Sequence, residues 1–181
     1  MEGKAQKIEV AVFGGGCFWC TEAVFQMLRG IISAKPGYSG GTKTNPTYTQ
    51  VSGGQSGHAE VTRLEYDPQK ISYHDLLTVF FATHDPTTLN RQGNDVGTQY
   101  RSVIFYTTLG QKKEAEKYIS ELPYHESIIT AVEPFTEFYE AEDYHHNYYE
   151  SHKNSLYCNL VINPKMEKAK KQFVDLLHPI K

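Results

Sequence analysis

The stretch from Gly14 to Glu22 reads GGGCFWCTE and joins two segments of different hydrophobic periodicity. Before it, Lys7 to Phe13 (KIEVAVF) alternates and is rich in β-branched residues, which predicts a strand. After it, the apolar residues between Ala23 and Leu28 recur at helical spacing. The three glycines allow a sharp turn and leave the backbone open to a ligand. The sequence therefore predicts a strand, a tight turn and a helix, with Cys17 at or near the first helical turn.

Cys17 occupies a position at which a helix can activate a thiol. The unpaired N–H groups and the positive dipole end of a helix N-terminus favour a thiolate over a thiol. Because the thiolate is the nucleophilic form, we expect Cys17 to be reactive. Phe18 and Trp19, the only tryptophan, place two large apolar side chains beside it. The local pattern predicts an activated sulfur at the rim of an aromatic pocket.

Length and composition predict a single domain over residues 1–181. The chain has 39% hydrophobic and 22% charged residues, which is ordinary for a soluble globular protein. Its formal net charge is -3 without a basic run, so nothing indicates binding to nucleic acid or to an anionic membrane. No apolar stretch approaches the roughly 18 residues that span a bilayer, and MEGKAQKIEV lacks the apolar region of a signal peptide. We therefore expect a cytoplasmic protein.

The remaining chain alternates between predicted strands and predicted helices. Further strands are predicted over Ile31–Lys35, Ala59–Tyr66, Ser102–Thr107 and Ile128–Tyr139. Further helices are predicted after the capping residue Ser72, over Gln111–Leu122 and over Pro164–Leu177. Long polar loops, of the kind that usually carry function, separate some of these elements. Some connections are too short for parallel crossovers, so the pattern predicts an α+β or mixed α/β domain.

Cys17 and Cys20 form a C-x-x-C, for which three uses compete. A structural zinc site would need further ligands, for which the chain offers Cys158, His145, His146 and His152. Their spacing does not resemble a zinc ribbon or finger. A thioredoxin-like dithiol fits the strand, turn and helix, but that fold has no use for the two long polar loops. A nucleophile with one or two resolving thiols uses all three cysteines, and the sequence favours it.

Polar residues outside the C-x-x-C each allow a functional and a plain interpretation. Glu60 begins a predicted strand, and a carboxyl beside an apolar pocket has a raised pKa and can act as an acid. Position alone favours an outward-facing strand glutamate instead. Asp95 and Tyr100 lie in a polar segment rich in turn-forming residues, which alone indicates an ordinary loop. Tyrosines such as Tyr48 can be packing residues with a satisfied hydroxyl.

Together these stretches resemble the A-type peptide methionine sulfoxide reductases. The matching segments are GGGCFWC (14–20), GYSGG with NPTY (37–48), GHAEV (57–61), YDP (66–68), HDPTTLNRQGNDVGTQYRS (84–102), AEDYHHNYY (141–149) and YCNLVINPK (157–165). They follow one another in order along nearly the whole chain. The resemblance implies a compact α/β domain, with a mixed sheet, a split βαβ ferredoxin-like core, flanking helices and long ordered loops.

The resemblance also implies a reaction, namely thiol-dependent reduction of the S epimer of methionine sulfoxide, free or in proteins, which repairs oxidised proteins. Cys17 would attack the sulfoxide sulfur, and Phe18 and Trp19 would hold the substrate methyl group. Glu60 would protonate the sulfoxide oxygen. The resulting sulfenic acid would be cleared by an intramolecular disulfide.

Further roles follow from the same resemblance. Tyr48 and Tyr100 would hydrogen-bond the sulfoxide oxygen, and Asp95 would help to organise the site and the substrate backbone. The disulfide would be reduced by thioredoxin or another dithiol, without a bound cofactor or metal. We expect the protein to act as a monomer.

Cys20 departs from the family pattern, because many members have glycine there and resolve through a C-terminal cysteine. Here Cys20 and Cys158 are both available. A bridge from Cys17 to Cys20 is local, although a helix start would strain it. Cys158 would have to reach Cys17 from a mobile tail, whereas the NLVINPK that follows it indicates a packed strand. This favours Cys20, with Cys158 as the alternative or as a second relay.

Overall fold

A computed structural model describes residues 7–179 of the chain as a sheet flanked by helices. The expectation about a signal peptide concerns residues 1–6, which lie outside the described residues, as do 180–181. The strands are β1 (Glu9–Gly15), β2 (Ile31–Ser39), β3 (Ala59–Tyr66), β4 (Arg91–Gln92), β5 (Asp95–Val96), β6 (Ser102–Tyr106), β7 (Ala131–Pro134) and β8 (Tyr139–Glu140). The helices are α1 (Phe18–Gln26), α2 (Tyr48–Ser52), α3 (Tyr73–Thr83), α4 (Leu109–Glu121), α5 (Tyr148–Ser151) and α6 (Asn163–Gln172).

Six of these strands form one sheet in the order β7-β6-β1-β3-β2-β8. β3 is antiparallel to both of its neighbours, β1 and β2, and β1 is also antiparallel to β6. The parallel strands β1 and β2 therefore flank β3, while β3 and β6 flank β1. β1 and β2, joined by α1, and β3 and β6, joined by α3, are therefore two βαβ units, each with a strand of the other unit between its own strands. The parallel pair β6 and β7 makes the sheet mixed. The predicted mixed α/β fold with a ferredoxin-like core is confirmed.

The largest apolar core lies between one face of the sheet and the helices. Phe13 of β1 stacks on Phe25 of α1, with ring centroids 5.6 Å apart, and on Phe80 of α3, at 4.9 Å. On the other face, Val12 belongs to a smaller buried cluster. Successive residues of β1 thus enter opposite cores, as the alternation of a strand requires.

Helix α3 begins where its capping residues predict. The Ser72 hydroxyl accepts the Asp75 N–H at 3.0 Å, and the Asp75 carboxylate accepts the Ser72 N–H at 2.9 Å. This reciprocal arrangement satisfies two N–H groups that a helix end leaves open. The predicted capping box is confirmed.

The single strand predicted over Ile128–Tyr139 is wrong. Its residues form β7 and β8, which lie at opposite edges of the sheet. Between them, Phe135 and Phe138 pack on the smaller apolar cluster. The segment therefore covers the second face of the sheet instead of extending one strand.

The strand predicted after Cys158 is also wrong. A π-helix over Cys158–Ile162 runs directly into α6, which ends at Gln172 and is followed by a 3₁₀ helix over Val174–Leu176. Cys158, Ile162 and Met166 recur every four residues and are buried, which is a helical repeat. Within residues 7–179, no helix is long and apolar enough to cross a lipid bilayer.

Candidate active site

A turn that requires glycine leads from β1 into α1. Gly16 has a φ of 94°, and a Cβ atom added there would lie 2.6 Å from Cγ of Gln92. Cys17 follows as the N-cap residue of α1, whose first helical residue is Phe18. Cys17 therefore lies where the sequence predicted it, and only 7% of its surface is exposed.

Glu60 lies on β3, next to this helix start, and is 2% exposed. Its carboxyl group accepts the backbone N–H of Phe18 at 3.2 Å. Burial raises the pKa of Glu60 to about 8, against the lowering effect of the Phe18 hydrogen bond and with a further increase from the charge of Asp95. Glu60 is therefore largely protonated at neutral pH, and the alternative of an outward-facing strand glutamate is wrong.

The activation of Cys17 expected from the helix N-terminus is opposed in this arrangement. Burial raises the pKa of Cys17 well above its ordinary value, and the neighbouring Cys20 and Glu60 raise it further. The N–H of Phe18 is bonded to Glu60, and the Cys17 side chain makes no capping hydrogen bond. Cys17 thus keeps its proton in the substrate-free protein.

Cys20, in the first turn of α1, carries the negative charge of the pair more readily. A hydrogen bond from Cys17 lowers the pKa of Cys20 to about 7, against the effect of burial and with help from the charge of Lys165. The Tyr157 hydroxyl lies 4.0 Å from the Cys20 sulfur and donates to the Asp95 carboxylate at 2.9 Å. The two thiols therefore share an ionisation near neutral pH, and the opposite shifts favour the thiolate on Cys20.

Aromatic side chains surround the cysteine pair, as predicted. Phe18 is fully buried and packs on Tyr38, with ring centroids 5.8 Å apart. Trp19 is half-buried and stacks flat on Tyr148, with centroids 3.6 Å apart and an interplanar angle of 3°. Tyr157 meets the Trp19 ring edge-on at 5.7 Å. The result is an apolar wall beside the cluster that holds Cys17.

Tyr48 and Tyr100 reach this wall from two different segments. Tyr48 is the first residue of α2, and Tyr100 is the last residue of a 3₁₀ helix. Burial raises the pKa of both hydroxyls, against a lowering hydrogen bond with Ser52 at Tyr48, and Glu60 and Cys17 raise both further when they are ionised. The structure thus brings together Cys17, Glu60 and both tyrosines, and keeps both hydroxyls protonated as hydrogen-bond donors.

Cys158 is fully buried at the start of the π-helix, where its N–H donates to the Ser155 hydroxyl at 3.1 Å. It belongs to the same apolar cluster as Cys17 and Cys20. The expected mobile tail is therefore a packed helix. All three cysteines are free thiols.

Sequence reasoning missed His145 and Glu142. His145, which the sequence offered only as a possible zinc ligand, is buried, with 1% of its surface exposed. Its Nδ1 atom accepts the indole N–H of Trp19 at 3.0 Å. Only the crowding of aromatic residues in AEDYHHNYY indicated that this segment is packed. Among the described residues, no group of three or more His, Cys, Asp or Glu side chains could hold a metal ion.

Comparisons with known proteins agree with this geometry. The model of the family described as peptide methionine sulfoxide reductase matches residues 9–177. A peptide methionine sulfoxide reductase MsrA of Sulfolobus acidocaldarius is 56% identical over 170 residues, which cover 93% of this chain and 97% of that protein. The structure of reduced Mxr1 from Saccharomyces cerevisiae superposes with a TM-score of 0.80 at 34% identity, covering 87% of this chain and 92% of that one. The structure of Mxr1 in complex with Trx2 gives a TM-score of 0.58 at 27% identity, covering 82% and 89%. The chain therefore belongs to the peptide methionine sulfoxide reductase family.

Proposed function

We propose that this oxidoreductase reduces the S epimer of methionine sulfoxide with Cys17 as the nucleophile and Glu60 as the acid. Reduction of methionine sulfoxide is the reaction of its family. The observation that carries the assignment of roles is the buried Glu60 carboxyl, bonded to the N–H of Phe18 directly after Cys17. A carboxyl with a pKa of about 8 has a proton to give at neutral pH.

Activation of the sulfoxide oxygen is the first requirement, because sulfoxide sulfur is a poor electrophile until its oxygen is protonated. Glu60 supplies the proton, and the hydroxyls of Tyr48 and Tyr100 donate hydrogen bonds to the oxygen as charge develops there. Donors fixed in a site that excludes water are worth far more than donors in water. The three groups therefore stabilise the transition state more than the bound sulfoxide.

The reductive step transfers the oxygen to Cys17. The Cys17 sulfur attacks the sulfoxide sulfur while its proton passes to the Cys20 thiolate, and Glu60 gives its proton to the oxygen. A bond forms between the two sulfurs as the sulfur–oxygen bond of the substrate breaks and hydroxide leaves. The hydroxide then attacks the Cys17 sulfur and displaces methionine, which leaves a sulfenic acid on Cys17, a thiol on Cys20 and a Glu60 carboxylate. The sulfoxide gains the two electrons that Cys17 loses.

Cys20 then resolves the sulfenic acid. Its sulfur attacks the Cys17 sulfur, a disulfide forms and the hydroxyl leaves as water with the Cys20 proton. The lowered pKa of Cys20 and its place in the same helical turn favour it over Cys158. Cys158, buried in the same cluster, is the alternative or a second relay.

Selectivity for one epimer requires three fixed contacts. Phe18 and Trp19 hold the methyl group, the oxygen site holds the oxygen, and Cys17 fixes the line of attack. Only one configuration at sulfur satisfies all three. Asp95 adds an acceptor for the substrate backbone.

An external dithiol, thioredoxin, restores the two thiols. This partner is supported by the related Mxr1, which is known in complex with Trx2. The reaction needs no bound cofactor, because the cysteines supply both electrons. We further propose that the whole chain acts as one monomeric catalytic domain in the cytoplasm, where it repairs oxidised proteins.

Separated epimers test the proposed reaction. With dithiothreitol as reductant, we expect the protein to convert blocked methionine (S)-sulfoxide to the sulfide and to leave the R epimer unchanged, because only S meets all three contacts. Chromatography of the sulfide measures both rates. Reduction of R, or of neither epimer by folded protein with free thiols, would contradict the proposal.

Cysteine variants test the resolving step with thioredoxin as the reductant. Cys17→Ser should abolish reduction. The double variant Cys20→Ser with Cys158→Ser should release methionine in a single turnover, and more slowly than the wild type, because the thiolate that accepts the Cys17 proton is lost. Cys158→Ser alone should sustain turnover, whereas Cys20→Ser alone should lose most of it. Sustained turnover of Cys20→Ser at the wild-type rate would assign resolution to Cys158 instead.

The pH dependence of the reductive step tests Glu60. The donor must be protonated, so the single-turnover rate should fall as the pH rises through about 8 and as it drops below about 7, where Cys20 gains a proton. Glu60→Gln should lower the rate by about 10²–10⁴-fold and remove the alkaline limb. Glu65→Gln, on the same strand and ion-paired with Arg63 at 2.7 Å, is the matched control and should leave the profile unchanged. An unchanged profile in Glu60→Gln would exclude Glu60 as the acid.

A further inference from the structure

We propose that Glu142 is a positioning residue, which holds the oxygen site and the methyl pocket in one fixed arrangement and thereby sets the selectivity for methyl over larger sulfoxides. This inference rests on the proposed function. Glu142 itself is placed to touch side chains of the protein and not the reacting atoms.

The carboxylate of Glu142 accepts hydrogen bonds from β2 and from α2, both about a hundred residues earlier in the chain. The Tyr48 N–H donates to Oε1 at 2.7 Å, and the Tyr38 hydroxyl donates to Oε2 at 2.8 Å. Burial raises the pKa of Glu142, but these hydrogen bonds outweigh it, so its pKa is lowered overall. Because Tyr48 begins α2, the ionised carboxylate fixes the position from which the Tyr48 hydroxyl reaches the substrate oxygen.

The same carboxylate lies against His145, which is hydrogen-bonded to Trp19. Nδ1 of His145 accepts the Trp19 indole N–H at 3.0 Å, so the neutral imidazole carries its proton on Nε2. Burial lowers the pKa of His145, which keeps the ring neutral. Nε2 lies 3.8 Å from Oε2 of Glu142 and has no hydrogen-bond partner among the described residues. The carboxylate that anchors α2 therefore lies next to this buried N–H without a direct hydrogen bond to it.

The His145 ring also fills the space between the two subsites. Its centroid lies 5.0 Å from that of Phe18 and 4.5 Å from that of Tyr48. Phe18 and Trp19 belong to α1, whereas Tyr48 belongs to α2. Glu142 and His145 thus set the distance between the methyl pocket, formed by Phe18 and Trp19, and the oxygen site, formed by Glu60, Tyr48 and Tyr100. Cys17 and Glu60 are tied to each other separately, through the Phe18 N–H.

Glu142→Gln is the direct test. The carboxylate accepts the Tyr48 N–H and the Tyr38 hydroxyl on separate oxygens, whereas glutamine has the same shape but only one acceptor oxygen. We expect kcat/KM for blocked methionine (S)-sulfoxide to fall by about tenfold or more, the cost of a hydrogen bond to a charged group. The kcat/KM for the blocked ethyl homologue should fall less, because a less firmly held Trp19 leaves room for the extra methylene. The methyl-to-ethyl ratio of kcat/KM should therefore narrow by about threefold or more.

Trp19 supplies a second readout, since it is the only tryptophan. Acrylamide should quench its fluorescence more strongly in Glu142→Gln than in the wild type. The matched control is Glu140→Gln, two residues earlier and ion-paired with Lys35 at 3.0 Å on the surface. Glu140→Gln should change neither the methyl-to-ethyl ratio of kcat/KM nor the quenching of Trp19 fluorescence.

Equal losses on both sulfoxides with unchanged quenching would overturn the inference, because a general loss of stability lowers both rates alike. No loss at all would also overturn it. If Glu142→Gln does not fold, Glu142→Asp keeps the charge but withdraws it by one methylene, and the same narrowing is expected. An unchanged ratio there would count against the inference. Failure of the wild type to reduce either epimer would instead refute the proposed function.

Discussion

The hydrogen bond from the Phe18 N–H to the buried Glu60 carboxyl joins a central strand to the start of α1. It fixes the carboxyl next to Cys17, while burial raises the pKa of Glu60 and, together with Cys20, raises the pKa of Cys17. In the proposed mechanism the charge falls on Cys20, which would receive the proton of Cys17 during attack and become the thiol that closes the disulfide.

Much of the fold was predictable where the signal is local. The bounds of β3 and the capping of α3 follow from alternation and from side chains three residues apart. The two failures have a common cause, because a short apolar run carries no unambiguous period. Ile128–Tyr139 is divided between opposite sheet edges, and the residues after Cys158 form helices because every fourth side chain enters the core.

The site was predictable only in part for the same reason. The glycine turn indicates the position of Cys17 by itself, but the burial of Glu60 depends on neighbours that are distant in sequence. β3 lies between two strands and is buried on both faces, so the outward-facing alternative fails. His145 and Glu142 act on residues about a hundred positions away. No spacing within AEDYHHNYY indicates those partners.

The protonation state of Glu60 is the central claim, and it can be measured directly. A ¹³C NMR titration of the glutamate side-chain carboxyls, with Glu60→Gln to assign the resonance, reports its pKa in the reduced, substrate-free protein. The account predicts a midpoint of about 8. A midpoint near the ordinary value of 4.5 would mean that Glu60 is a carboxylate at neutral pH, and the proton would have to come from another group.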